Sequence, residues 1–368
     1  MARLQDWVDL GRNTIESLKI SDATRFYETE WPETRKMLIA DHRDAIEGEH
    51  KRLRRFVRTR SAILYGLARR LAPLRRVIFV VAFVWFFSCL FTMATREIGV
   101  RGWPLLEMAA CFLLMMILLA MELIDKIKYR DELELARDLQ ADLIPKHPAQ
   151  TADFEVAAFN EIANTVGGDI YDFVPLSDGR LAILFGDASG HGMAAGLVMA
   201  VAHAAFRTQL DVDPAPDAIV NALNRILCRT GGPRSFFACC YVLLSPSGEF
   251  VAITAGHPEI LKVGRNGKVI DRLGRGSYPL GIKTGLAWQD VRGCLDRGER
   301  LLFHSDGLTE ARNGMGHEFG DAYVDAIVSW NPAATPPGLI NTFVRELQSF
   351  SSGRPPEDDI SIAVVQRR

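Results

Sequence analysis

The sequence predicts an α+β fold in which two sheets pack face to face with helices outside, preceded by a two-helix transmembrane hairpin. Three observations predict it. Beyond Phe154, short apolar runs of strand length come in consecutive groups instead of alternating strictly with helices, which favours packed sheets over a doubly wound parallel sheet. Two longer apolar runs, near the length of a bilayer's hydrocarbon core, stand before them. At 368 residues the chain has room for one large domain of about 200–250 residues and an accessory region. The expected divisions are a basic helical region over 1–76, two membrane helices over 77–121, a helical connector over 122–148 and the large domain over 149–368.

Residues 1–50 mix charged and apolar positions in a pattern compatible with short helices, with a break at Trp31-Pro32, and they suggest no function. Residues 51–76 hold ten Lys or Arg and no Asp or Glu. The chain as a whole is balanced, with 43 basic against 45 acidic residues, which argues against a general nucleic-acid binder and against an acidic disordered protein. Arg54, Arg55, Arg58 and Arg60 lie either against anionic lipid or on a solvated helix face.

Residues 77–95 run for 19 positions without a charge, enough for one membrane-spanning helix. The second run, 104–121, carries Glu107 within about a turn of Trp103, where a carboxylate reaches the headgroup level. Near-continuous hydrophobicity leaves neither run a polar face for water, unlike a helix of a soluble core. The first run begins only after residue 76, which does not fit a cleaved secretory signal. Arg69, Arg70, Arg75 and Arg76 hold the leading side in the cytoplasm, so both ends and the large domain face inward from the inner (cytoplasmic) membrane. The short link between the runs cannot form an extracytoplasmic sensor. After the second run, residues 122–144 read as a polar connector helix with Leu135, Leu139 and Leu143 on one face, closed by Pro145 and Pro148. It serves as a tether or as a homodimer contact.

In the large domain, FEVAAF, LAILF, FFACCYVLL, FVAITA, RLLFH and ISIAVV read as strands, and the stretches near 192–210, 214–229, 318–330 and 338–350 as helices. Cys89, Cys111, Cys228, Cys239, Cys240 and Cys294 show neither metal-ligand spacing nor a disulfide framework; the first two lie inside the apolar runs, and the rest read as reduced thiols, Cys239 and Cys240 as core packing.

Acidic residues recur where apolar runs meet glycines or strand ends. Asp169 lies in GGDIYDF, Asp187 ends LAILFGD and opens ASGHG, Asp306 follows RLLFHS, and Asp358 with Asp359 opens ISIAVV. Alone, Asp306-Gly307 reads as a tight turn. Together, if the strand ends converge, the carboxylates repel one another unless cations neutralise them. Such hard oxygen ligands suit Mg or Mn, and no paired Cys or His spacing points to zinc. Gly168, Gly186, Gly190 and Gly192 permit close backbone approach to a metal or phosphate, or simply tight turns.

GGDIYDF, GDASGHGMAAGLVMA, AGHPEILKV, YPLGI, LLFHSDGLTEARN and DDISIAVV, in that order over about residues 135–368, resemble the metal-dependent (type 2C) protein phosphatases, and within them the bacterial sporulation stage II protein E branch. The resemblance implies an α-β-β-α sandwich of two mainly antiparallel sheets. It also implies two Mn or Mg ions, with Asp187 bridging both, the Ala188 carbonyl binding one, and Asp306 and Asp358 completing the other's shell. Asp169 falls on a further acidic position of the family. Asp358 is taken over Asp359 because it lies one place farther from the strand. The implied activity is protein-serine/threonine phosphatase, in which paired ions sharpen a shared water for in-line attack. The implied partners are a phosphorylated protein such as an anti-sigma-factor antagonist, and the membrane, with no nucleic acid. His191 either protonates the leaving group or fixes its loop, and His257 poses the same choice. Ser189 stands where the larger type 2C enzymes place a histidine, and Pro258 where the bacterial branch often has Asn.

Two other readings compete. A catalytically silent phosphatase fold would bind a phosphoprotein or relay a membrane signal, but the acidic positions are all present. A diguanylate cyclase reading of GGD fails to find the expected Glu-Phe, since Ile170 and Tyr171 follow.

Overall fold

The structure is a computed structural model; it describes most of residues 54–95, then 103–145 and 151–368 apart from 164, 233, 234 and 275. The expectations for residues 1–50 and for the link between the apolar runs lie outside the described residues. The chain divides into two units, the second being Lys128–Arg368.

In the first unit, α1 (Pro73–Thr95) opens with Pro73, whose missing N–H costs nothing in a first turn. The second helix, α2, runs unbroken over Trp103–Leu143, so the expected second span and connector form one element. The reason is local: nothing between Met121 and Leu143 is Gly or Pro, and Glu, Lys, Arg, Leu and Ala favour the helix. The two helices run antiparallel. Arg75 pairs with Glu122 and Asp125 at 3.1 and 2.6 Å, Cys111 Sγ donates to the Ala82 carbonyl at 3.1 Å, and Cys89 Sγ donates to Glu107 at 3.3 Å. Glu107 thus has a protein partner. Pro73–Phe91 and Leu106–Leu143 are long and apolar enough to cross a membrane, and Leu90, Phe112 and Leu113 are exposed on them.

The second unit holds two five-stranded sheets. One contains β1 (Phe154–Glu161), β6 (Ile260–Val263), β7 (Val269–Leu273), β9 (Arg300–His304) and β10 (Ile360–Arg367), in the order β1-β10-β9-β6-β7. The other contains β2 (Ile170–Pro175), β3 (Leu181–Ala188), β4 (Phe237–Leu244), β5 (Glu249–Ala255) and β8 (Asp290–Cys294), in the order β2-β3-β4-β5-β8. Neighbouring strands pair antiparallel throughout. Helices α3 (Met193–Val212) and α4 (Pro216–Thr230) cover the outer face of the second sheet. Beyond the short α5 (Asp306–Glu310), α6 (Gly320–Trp330) and α7 (Pro336–Ser351) cover the first sheet. The predicted α-β-β-α sandwich is therefore observed.

The two-residue strand period builds these layers. Along β9, Leu301 and Phe303 face the core between the sheets, while Leu302 faces the helices. On β10, Ala363 and Val365 turn inward, and Ile362 and Val364 turn to α6 and α7. Phe303 stacks on Phe185 of the opposite sheet at 5.9 Å and is about 1% exposed. Truncating such a ring to alanine costs about 3–5 kcal/mol. Capping sets the helix ends: the Thr335 side chain accepts from Gly338 N at the start of α7, and Pro336 fills its first turn.

Four strands were not separately foreseen. β2 and β6 are hidden inside the GGDIYDF and AGHPEILKV runs, while β7 exposes the adjacent Ile270 and Asp271, and β8 exposes Asp290, Arg292 and Cys294 in alternation. Asp306, read alone as a turn former, instead opens α5.

Candidate metal centre

The register explains why distant aspartates meet. Ile170 pairs with Gly186 across β2 and β3, so Asp169, just before β2, lies beside Asp187 near the end of β3. In the other sheet Ile362 pairs with His304, so the end of β9 and the start of β10 share one edge. Asp306 follows that end, and Asp358 and Asp359 precede that start. Ser305 stitches them together, its hydroxyl donating to the Asp359 carbonyl at 3.2 Å and accepting from Ser361 N at 2.9 Å.

The carboxylates act on one another. Burial first, then the charges of Asp306, Asp358 and Asp359, pushes Asp187 up to about 8. Asp169 is about 2% exposed and is held well above the usual carboxylate range by burial and then by Asp187. The Ser361 and Ser305 hydroxyls partly offset this, yet Asp169 Oδ2 has no hydrogen-bond partner. Asp358 is raised by burial, and by Asp306 and Asp359, against the hydrogen bond its Oδ1 accepts from Asp359 N at 2.8 Å. Among the described residues, no three His, Cys, Asp or Glu side chains stand close enough together to hold a metal ion. What is gathered is a set of mutually repelling carboxylates around Asp187.

Asp359 has a different task from its neighbour. Its Oδ1 accepts from Ala163 N at 2.8 Å and its Oδ2 from Gly168 N at 2.6 Å, fixing the loop that carries Asp169. Asp358 is the more exposed of the two and faces Asp306 and His191. Gly168 lets this loop close on β3: a Cβ there would lie 2.7 Å from both the Ala188 carbonyl oxygen and Asp187 Oδ1. Gly190 and Gly192, at φ 89° and 70°, turn the chain after Ala188 into α3 in conformations that favour glycine.

These residues fit hard divalent cations. The donors are carboxylate and carbonyl oxygens, one buried carboxylate oxygen is orphaned, and the glycine cradle keeps Ala188 and Asp187 accessible to the loop.

His191 is exposed near Asp358 and makes no side-chain hydrogen bond among the described residues. His257 differs. Its ring packs edge-on to Phe185 at 5.3 Å, and burial pushes it down to about 3, so it is a neutral core group at ordinary pH. Two contributors had no sequence signal. Gln140 of α2, about 4% exposed, accepts from Gly167 N at 2.9 Å and donates to Gly167 O at 2.6 Å. Asp172 on β2 holds Arg207 by two bonds of 2.6 and 2.9 Å and His203 by one of 2.8 Å, tying β2 to α3.

The family model described as stage II sporulation protein E matches residues 177–368. Protein IcfG of Synechocystis is 25% identical over 278 residues, covering 68% of this chain and 43% of that protein. The phosphoserine phosphatase RsbP of Bacillus subtilis is 23% identical over 190 residues, covering 50% of this chain and 47% of that protein. The chain thus spans about half the length of these curated relatives. Among solved structures, the SiaA-PP2C domain of Pseudomonas aeruginosa superposes with a TM-score of 0.59 at 19% identity, covering 66% of this chain and 98% of that domain.

Proposed function

The chain belongs to the stage II sporulation protein E family, and from that premise we propose that it is a membrane-anchored, metal-dependent phosphatase that hydrolyses phosphoserine or phosphothreonine on a signalling protein. The single observation that carries this reading is the convergence of half-buried Asp187, at a strand end, with Asp306, Asp358 and Asp359, whose charges together with burial push Asp187 up to about 8. Such an arrangement is unfavourable without cations and useful with them. Asp187 and the Ala188 carbonyl would hold one Mn or Mg ion, Asp187 with Asp306 and Asp358 a second, and Asp169 supports the site directly or through water. When bound, the ions supply charge neutralisation for the phosphoryl group and a more acidic water.

The chain's own residues do the rest. The bond between phosphorus and the serine oxygen breaks, and that oxygen needs a proton. We assign that proton to His191, which is exposed beside Asp358, with fixing its own loop as the alternative role. Asp359 and Gln140 hold the Gly167-Gly168-Asp169 loop and so keep the ligands in place. The two long apolar helices support the anchor, and the basic residues before the first of them favour a cytoplasmic phosphatase domain. A phosphorylated anti-sigma-factor antagonist or a related signalling domain is the proposed substrate, by the branch resemblance.

The test is Mn-dependent phosphate release from a phosphoserine peptide by the purified full chain. Asp187→Asn should abolish it, and full activity in that variant would refute the metal assignment.

A further inference from the structure

Beside the metal centre a cleft of about 670 Å³ opens, with Asp358 and Gly307 in its wall. Its remaining charges do not belong to the site already described. Glu161 at the end of β1, Glu310 at the end of α5 and Glu357 line it and form no ion pair among the described residues. Of its two arginines, Arg312 bonds Glu318 at 2.7 Å and also faces the charges of Glu357 and Glu310, and Arg354 forms no ion pair among the described residues, so three glutamates stand against two arginines, one of them largely engaged by Glu318. With Asp358 reserved for the cations, the free charges of the cleft are predominantly negative.

That sign decides the occupant. A phosphate group would be repelled by the three glutamates and is better served by the metal centre next door. A polypeptide segment continuing from the phosphoresidue fits, because the volume lies in the range of about 300–1,000 Å³ that holds drug-sized groups, the scale of a long side chain and its adjoining backbone. We propose that this cleft seats the substrate chain next to the phosphoserine and selects a lysine or arginine there, held by Glu310 with Glu161 and Glu357. Arg354 donates to carbonyl oxygens of the same segment. The proposal rests on the phosphatase reading and adds the substrate's flanking charge to it.

The test uses the full chain in lipid with Mn and three substrates: p-nitrophenyl phosphate and two phosphoserine peptides that differ only in carrying Lys or Glu beside the phosphoresidue. The wild type should favour the Lys peptide in kcat/KM by about fivefold, the scale of a few partly exposed charge pairs. Glu310→Lys should cancel or invert that preference and Glu310→Gln should halve it, both leaving p-nitrophenyl phosphate hydrolysis unchanged. Equal use of the two peptides by the wild type, or an unaltered preference in both variants, would overturn the proposal while the phosphatase reading stands. Failure of the wild type to hydrolyse any of the three would overturn the phosphatase reading itself, and the proposal with it.

Discussion

Gly168→Ala should damage the protein out of proportion to one methyl group. The added Cβ would sit 2.7 Å from the Ala188 carbonyl oxygen and 2.7 Å from Asp187 Oδ1, where ordinary contact begins at 3.4 Å. Ala188 belongs to the buried end of β3 and cannot yield, so the loop must retreat by roughly 0.7 Å or more. Retreat lengthens the 2.6 Å bond from Gly168 N to Asp359, a bond to a charged acceptor worth about 1.5–3 kcal/mol. Reduced freedom of the unfolded chain returns about 0.4–1 kcal/mol. The net loss is about 1–2 kcal/mol, a fall in Tm of about 2–8 °C for a unit of this size. Activity should fall further, by about 100-fold, because a misplacement near 1 Å at a reacting centre costs that much. Thermal melts in EDTA and Mn-dependent kcat/KM on a phosphoserine peptide measure both effects. Wild-type activity at the wild-type Mn requirement would refute the cradle argument.

Three further outcomes are expected. In EDTA, the raised pKa of Asp187 means that the folded state holds a proton the unfolded state releases, so this group's contribution to stability should decline as pH rises from about 4 to about 8. Urea denaturation should show a flatter profile in Asp187→Asn, and identical profiles would contradict the assignment. Gln140→Leu strands Gly167 N and O, so it should cost about 1–3 kcal/mol in a urea melt and lower kcat. Unchanged stability would show that water replaces the amide. Asp172→Asn should lose about 1–3 kcal/mol, limited because Arg207 is half-exposed and regains water, with Mn affinity nearly unaltered. A variant as stable as the wild type would remove the latch between β2 and α3.

The sandwich was legible because its strongest strands are buried on both faces and therefore read as unbroken apolar runs, such as RLLFH and ISIAVV. β7 and β8 were not, because each is five residues long and Leu273 is the only fully buried residue in the two strands, so neither makes an apolar run. The carboxylates were legible as a set, since each sits at a strand end, and antiparallel registry carries those ends to one edge. The division of labour between Asp358 and Asp359 was only half readable: position favoured Asp358, but the grip of Asp359 on Ala163 and Gly168 depends on residues almost two hundred positions away. Gln140 was invisible for a related reason. A glutamine in a polar helix carries no mark of burial, and its partners are backbone atoms of a loop 27 residues on.

Folding brings Asp187 beside Asp306, Asp358 and Asp169, a set we propose binds two hard divalent cations. Isothermal titration of Mn into the metal-free full chain tests it most directly. Two ions per chain for the wild type, with loss of binding in Asp187→Asn, is the predicted result. The same stoichiometry and affinity in both proteins would contradict it.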